Sequence, residues 1–152
     1  MVFRTLPWRR ILVLSCAALV CVALWAETAQ TQLAEKVIRL HVLANSDSQA
    51  DQTLKLQVRD KVLAQAATLL TGQESAPEAA AILQDNLGLL AQTAAQEIDA
   101  RGYRYGVRVA LEDTWFPTRE YQDMALPAGT YQALRVVIGE GEGHNWWCVV
   151  YP

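Results

Sequence analysis

The chain has 152 residues, 52% hydrophobic and 19% charged, a length and balance suited to one domain with an ordinary core and not to a disordered chain. Its formal net charge is −3; setting Arg4, Arg9 and Arg10 aside leaves 10 of the 13 basic residues against 16 acidic ones, a net of −6. That balance argues against a nucleic-acid partner.

The first ten residues, MVFRTLPWRR, carry three arginines and no acid, and Ile11 to Ala26 follows without a charge. This is the order of a basic n-region and an apolar h-region, so the remainder is expected to be exported. Sixteen apolar residues fall short of the roughly 20 that span a bilayer. Trp8 and Trp25 nevertheless bracket the run as interfacial aromatics do. A cut after Ala26 would put Leu24 at −3, and a cut after Ala29 would put Glu27 there, which favours an uncleaved anchor with its N-terminus inside. The expected organisation is a cytoplasmic n-region at 1–10, a signal peptide or anchor at 11–26, a linker at 27–36 and an exported domain at 37–152. Cys16 and Cys21 sit in the apolar run as small hydrophobes; Cys148 alone belongs to the exported part, where it is buried, free or paired with another chain.

Ile38, Leu40, Val42 and Ala44 alternate with Arg39, His41, Leu43 and Asn45, which predicts a strand with one fully apolar face. On the mixed face His41 reads as a half-exposed strand histidine, with a ligand or general base as the sharper alternative. The turn Asn45-Ser46-Asp47-Ser48 packs four short polar side chains between two apolar segments. They either satisfy backbone N–H groups or face something else. Ser48-Gln49-Ala50-Asp51 fits a capping box, so a helix should begin near Gln49 and run to Thr71, with Gly72 as its left-handed terminator. Its apolar residues spread over more than half the circumference and enclose Lys55 and Arg59, which must snorkel, pair with acids or serve a recognition surface.

Ser75-Ala76-Pro77-Glu78 is a second capping box, followed by a stripe of Leu83, Leu87, Leu90, Ala94 and Ile98 and closed by Gly102. The short linker from Gly72 to Ser75 predicts an antiparallel helix pair. From Tyr103 to Glu112 the period is two, a half-buried strand. Leu126-Pro127-Ala128-Gly129 has the residues of a type I turn and should join a segment near Tyr121 to a strand at 130–138 as a hairpin. Gly139-Glu140-Gly141-Glu142-Gly143 lacks a following helix and carries two acids, so it is a flexible turn and not a phosphate loop. The last segment, from Trp146 to Tyr151, is apolar on both faces, as in a central strand or one that ends in an interface.

Cys148 with His144 or His41 raises a thiol hydrolase, but four extended residues at ~3.3 Å each separate His144 from Cys148 by about 13 Å. Asn45, Asp47 and Asp51 resemble the start of a calcium loop, yet its sixth position is Ala50 and its twelfth Leu56, where glycine and glutamate are required. No Cys-x-x-Cys offers a zinc site. Neither a cofactor nor a metal is expected.

Two blocks, IRLHVLANSDSQADQTLKLQVRDKVL from Ile38 to Leu63 and FPTREYQDMALPAGTYQALRVVIGEGEGHNWWCVVYP from Phe116 to Pro152, resemble the stage II sporulation protein R family of endospore-forming bacteria. The resemblance implies a signal made in the forespore and exported into the space between forespore and mother cell. It further implies that the signal triggers a membrane-embedded aspartyl protease of the mother cell, which then cuts a sporulation sigma-factor precursor. Such a protein is an activator and not an enzyme. Family members continue past Pro152 with another proline and a second cysteine, so the resemblance implies that this chain is truncated or naturally short and that Cys148 lacks its disulfide partner. They also carry a glycine after the tyrosine of Tyr121-Gln122-Asp123-Met124.

The sequence therefore predicts an α+β domain, an antiparallel sheet of about four strands packed on one face by an antiparallel helix pair, behind the N-terminal segment. Contacts to the protease are expected from Asn45, Ser46, Asp47, Asp51, Lys55 and Arg59, together with Asn145, Trp146, Trp147 and Cys148. A secreted thiol hydrolase using Cys148 and a purely structural envelope protein are the alternatives.

Overall fold

A computed structural model describes residues 8–121 and 125–152; most of the basic n-region and the Gln122-Asp123-Met124 part of the expected turn lie outside the described residues. The chain divides into two compact units, Met1–Leu33 and Ala34–Pro152. In the first, α1 (Trp8–Ala34) contains a stretch, Arg10–Ala34, long and apolar enough to cross a membrane by length and composition. The helix continues through most of the segment read as a linker, because Glu27 to Ala34 contains no proline or glycine to stop it.

The second unit is α+β. Its elements are β1 (Ile38–Leu43), α2 (Gln49–Leu69), α3 (Ala76–Asp85), α4 (Leu87–Ala100), β2 (Val107–Phe116), β3 (Arg119–Glu120), β4 (Ala125–Leu126), β5 (Gly129–Ile138) and β6 (Asn145–Tyr151). A four-stranded sheet runs in the order β2-β5-β1-β6, and β3 with β4 forms a separate ribbon. The helix layer covers one face. Ile38, Leu40 and Val42 of β1 and Leu134, Val136 and Ile138 of β5 meet Leu54, Val58, Val62 and Ala66 of α2, Leu83 of α3, and Leu90, Ala94 and Ile98 of α4. These residues are almost wholly removed from water. On the opposite face a smaller aromatic cluster forms around Phe116, Tyr131 and Ala133, with Trp147 against it.

Both helix caps form at their serines. Ser48 accepts a hydrogen bond from the Asp51 N–H at 3.1 Å and Ser75 one from Glu78 at 3.4 Å, each satisfying a first-turn donor. The reciprocal half of the first capping box is absent: the Asp51 carboxylate turns to Asn45 and Ser46, and the Ser48 N–H donates to the Ser46 hydroxyl at 3.2 Å.

Several expectations are corrected. The sheet is mixed, because β1 runs parallel to β5 and antiparallel only to β6. The strand at Gly129–Ile138 pairs with β2 along ten residues, from Val107 opposite Ile138 to Phe116 opposite Gly129, while the segment before Pro127 pairs with β3. A two-residue segment ending at a proline offers no ladder to rival that length. The second long helix breaks at Asn86, whose side-chain amide donates to the Ile82 carbonyl at 2.8 Å, and restarts at Leu87 with its apolar stripe in phase. β6 is an edge strand, not a central one. His41 is 8% exposed, not half-exposed, because Phe116 and Trp147 cover its face of the sheet.

Candidate functional site

At the end of β1 the Asn45–Ser48 turn meets the glycine-rich loop between β5 and β6. The loop is not a free turn. Gly143 donates to the Ala44 carbonyl at 3.0 Å, Glu142 to the Asn45 carbonyl at 3.3 Å, and the Glu140 N–H to Asn45 Oδ1 at 3.1 Å. Glycine is required at two places here. Gly139 has φ +57°, and a Cβ on it would run into the Asn45 side chain; a Cβ on Gly143 would run into the Ser46 carbonyl.

Asp47 closes the two loops from the solvent side. Its Oδ1 accepts from the His144 N–H at 2.6 Å and pairs with the His144 imidazole Nδ1. Both side chains are exposed. The His144 backbone N–H first, and then its ring, hold the Asp47 carboxyl below the usual carboxylate range. One layer deeper, Asp51 Oδ2 accepts from Ser46 Oγ at 2.6 Å and Asn45 Nδ2 at 2.9 Å. Burial pushes Asp51 up, but hydrogen bonds with Ser46, Asn45, Tyr105 and Ser48 outweigh it, so its carboxyl also lies below the ordinary range. Lys55 is 3% exposed; its Nζ donates to Gln52 Oε1 at 2.6 Å and to the His144 carbonyl at 2.8 Å. Burial lowers its pKa against the opposing pull of Asp47.

Asn45, Ser46, Asp47, Asp51 and Lys55 are thus one network, knit together by His144. Sequence reasoning tested His144 only as a partner for a thiol. What could have pointed to it is its position at the end of a glycine loop, where a close backbone approach is to be expected. Lys55 does not snorkel and, among the described residues, pairs with no acid directly; a backbone carbonyl 89 positions away holds it.

Of the other five residues, four divide between the two faces of β6 and the fifth, Arg59, reaches that strand from α2. Trp146 lies on the helix face, where the Arg59 guanidinium stacks 4.4 Å from its ring centroid while also pairing with Asp60 at 2.6 Å. Cys148 shares that face, opposite Leu40, and burial raises its thiol pKa. Asn145 and Trp147 point the other way: Asn145 Oδ1 lies 2.8 Å from His41 Nε2, and Trp147 packs edge-on against His41 and Phe116. Successive strand residues face opposite sides of a sheet, so Cys148 and His41 are divided by the sheet itself. The dyad needed for a thiol hydrolase does not form between them.

A residue that sequence reasoning passed over is Arg39, fully buried beside His41. Its guanidinium lies 4.0 Å from the Phe116 centroid and 4.9 Å from that of Tyr131, and Nη2 donates to the Tyr121 hydroxyl at 2.8 Å. Burial lowers the His41 pKa, favouring the neutral ring. Asp47 and Asp51, the carboxylates of the abortive calcium pattern, are engaged by protein donors, and among the described residues no group of three or more His, Cys, Asp or Glu could hold a metal.

A family model described as Stage II sporulation protein R matches residues 34–152. A curated protein of Bacillus subtilis (strain 168) with the same description is 36% identical over 127 residues, covering 84% of this chain and 57% of that protein. The chain therefore spans little more than half the length of the relative. No solved structure matches it.

Proposed function

The chain belongs to the stage II sporulation protein R family, and from that premise we propose that it is an exported sporulation signal that activates a membrane-embedded aspartyl protease of the mother cell. The protease then processes a sporulation sigma-factor precursor. The chain acts from the space between forespore and mother cell, secreted or held by α1, and binds the exposed part of the protease.

The observation that carries this reading is the two-loop network on the family-matched unit. Its outermost members, Asp47 and His144, are exposed, whereas Lys55 holds the His144 carbonyl from beneath and Asp51 ties the side chains of Asn45 and Ser46. Such an arrangement presents a preorganised polar surface and lowers the ordering cost of association. Activation by binding requires tighter contact with the active arrangement of the protease than with the inactive one, since equal affinity would shift nothing. Arg59 on Trp146 extends the contact surface along α2 and β6.

Co-expression of this chain with the protease and the sigma-factor precursor in a non-sporulating host tests the proposal. Precursor cleavage should depend on the chain. Cleavage that proceeds equally in its absence overturns the activator reading.

A further inference from the structure

Among the described residues the sheet ends at β6, which pairs with β1 on one side and with no strand on the other. The opposite edge, β2, carries Arg108, Glu112 and Asp113, the charges by which sheets discourage pairing with a foreign strand. β6, reading NWWCVVY, has no charge. Beside its first half lies a cavity of about 290 Å³, lined by Arg119, Glu120, Tyr121, Asn145, Trp146 and Trp147. The Arg119 guanidinium sits 5.3 Å from the Trp147 centroid.

Immediately behind the Tyr121 wall is Arg39. It is fully buried, and among the described residues no carboxylate forms an ion pair with it. Among the described residues its Nε and Nη1, and Nε1 of Trp147 in the cavity wall, have no hydrogen-bond partner. All three are obligate donors that can be satisfied only by an acceptor. A buried cation enclosed by aromatic rings, with donors to spare and no anion, is costly on its own and lacks a counter-charge. Glu120, exposed on the same wall, opposes any incoming carboxylate, so the two arginines have to outweigh it and leave room for one acid at most.

We propose that this cavity takes a single carboxylate, the side chain of an Asp or Glu on an extended partner segment that adds as a strand to the free edge of β6. Backbone pairing with β6 supplies the attachment. The carboxylate reaches Arg119 at the rim and draws on Arg39 through Tyr121, and the alternate residue of the added strand faces Trp146 on the other side of the sheet. The proposal rests on the activator reading, with the exposed part of the protease supplying the segment.

The test uses the full chain in detergent micelles, with tryptophan fluorescence followed as the peptide acetyl-Thr-Val-Glu-Val-Thr-Val-amide is titrated in, against the same peptide with Gln in place of Glu. The Glu peptide should bind about tenfold more tightly, as expected for one charge-assisted hydrogen bond to arginine. Arg119→Gln, at an exposed position that leaves the fold intact by circular dichroism, should bring the two peptides close to parity, and Arg39→Gln should do the same if it folds. Parity on the unaltered chain, or a ranking unmoved by Arg119→Gln, overturns the site. Sodium acetate that displaces the peptide at matched concentration overturns the extended-segment requirement. Parity with chain-dependent precursor cleavage intact defeats this proposal alone. A Glu preference without chain-dependent cleavage defeats the activator reading and leaves the site standing.

Discussion

Asp47 and Arg59 were both contact candidates by sequence, expected to differ if the guanidinium is buried, and the structure places one exposed and the other largely covered. Asp47 is exposed and ties His144 to the turn, so Asp47→Ala should reduce precursor cleavage in the co-expression assay several-fold while the urea midpoint hardly moves. Arg59 is largely covered and stacked on Trp146, so Arg59→Ala should lower stability by about 0.5–2 kcal/mol as well, through the lost cation–π contact and stem packing. Equal and purely destabilising effects would return Asp47 to the role of a loop tie. His41 makes a second prediction. Burial places its folded pKa below the ordinary 6.5, so as pH falls below 6.5 the unfolded chain takes up a proton that the folded chain resists. Stability should therefore decline between 6.5 and that lower folded value. A further decline should begin below 3.8, as the buried Asp51 is titrated through its lowered pKa. His41→Gln should flatten the first decline and leave the second; an unchanged slope near pH 6 would show that another group controls it. At this scale the turn's side chains were legible from type and spacing. Arg39 and His144 were not, because a buried cation's aromatic neighbours and a carboxylate 97 positions away are products of tertiary packing.

Among the elements, the glycine loop and the helices respond oppositely to the same change. Gly143→Ala would push a methyl into the Ser46 carbonyl, and should cost about 1–3 kcal/mol and loosen the two-loop network. Gly88→Ala, in α4 with open space around it, should stabilise by about 0.5–1 kcal/mol. Thermal midpoints of the two variants check both signs; a stabilising Gly143→Ala would mean that the loops are not held in this close contact. Element types and caps could be read in advance because the signals are local: Ser48 and Ser75 start their helices, and Gly72 and Gly102 adopt the positive φ of helix ends. The break at Asn86 could not, since nothing in LQDNLGLL forbids a continuous helix and the stripe runs through it unshifted. Neither could the partner of β5, because strand pairing depends on which ladder is longest in space, and Pro127 marked a turn without naming the strands it would join.

For the whole molecule the outcome that matters is whether the chain works by chemistry or by contact. Cys148 faces the helix layer with its thiol pKa raised, so Cys148→Ser should preserve chain-dependent cleavage at a modest stability cost. Loss of cleavage with an intact fold would revive a thiol mechanism. The α+β class followed from the alternation of period, and the layer arrangement from the one-sided stripe of the second helix and the short linker that pairs it with the first. The parallel neighbour of β1 was out of reach, for strand order is decided by long-range closure. That order also governs when the molecule can come into being. The central strand β1 is the first part of the sheet in the chain, and its two neighbours, β5 and β6, are the last. A polypeptide threaded through a membrane N-terminus first would expose β1 long before either flank arrives, and α2 to α4 would wait over a sheet not yet built. On the export reading proposed above, the surface shared by β1, β5 and β6 would assemble only once β5 and β6 had followed β1 across, so a partner could read it only after the sheet had closed.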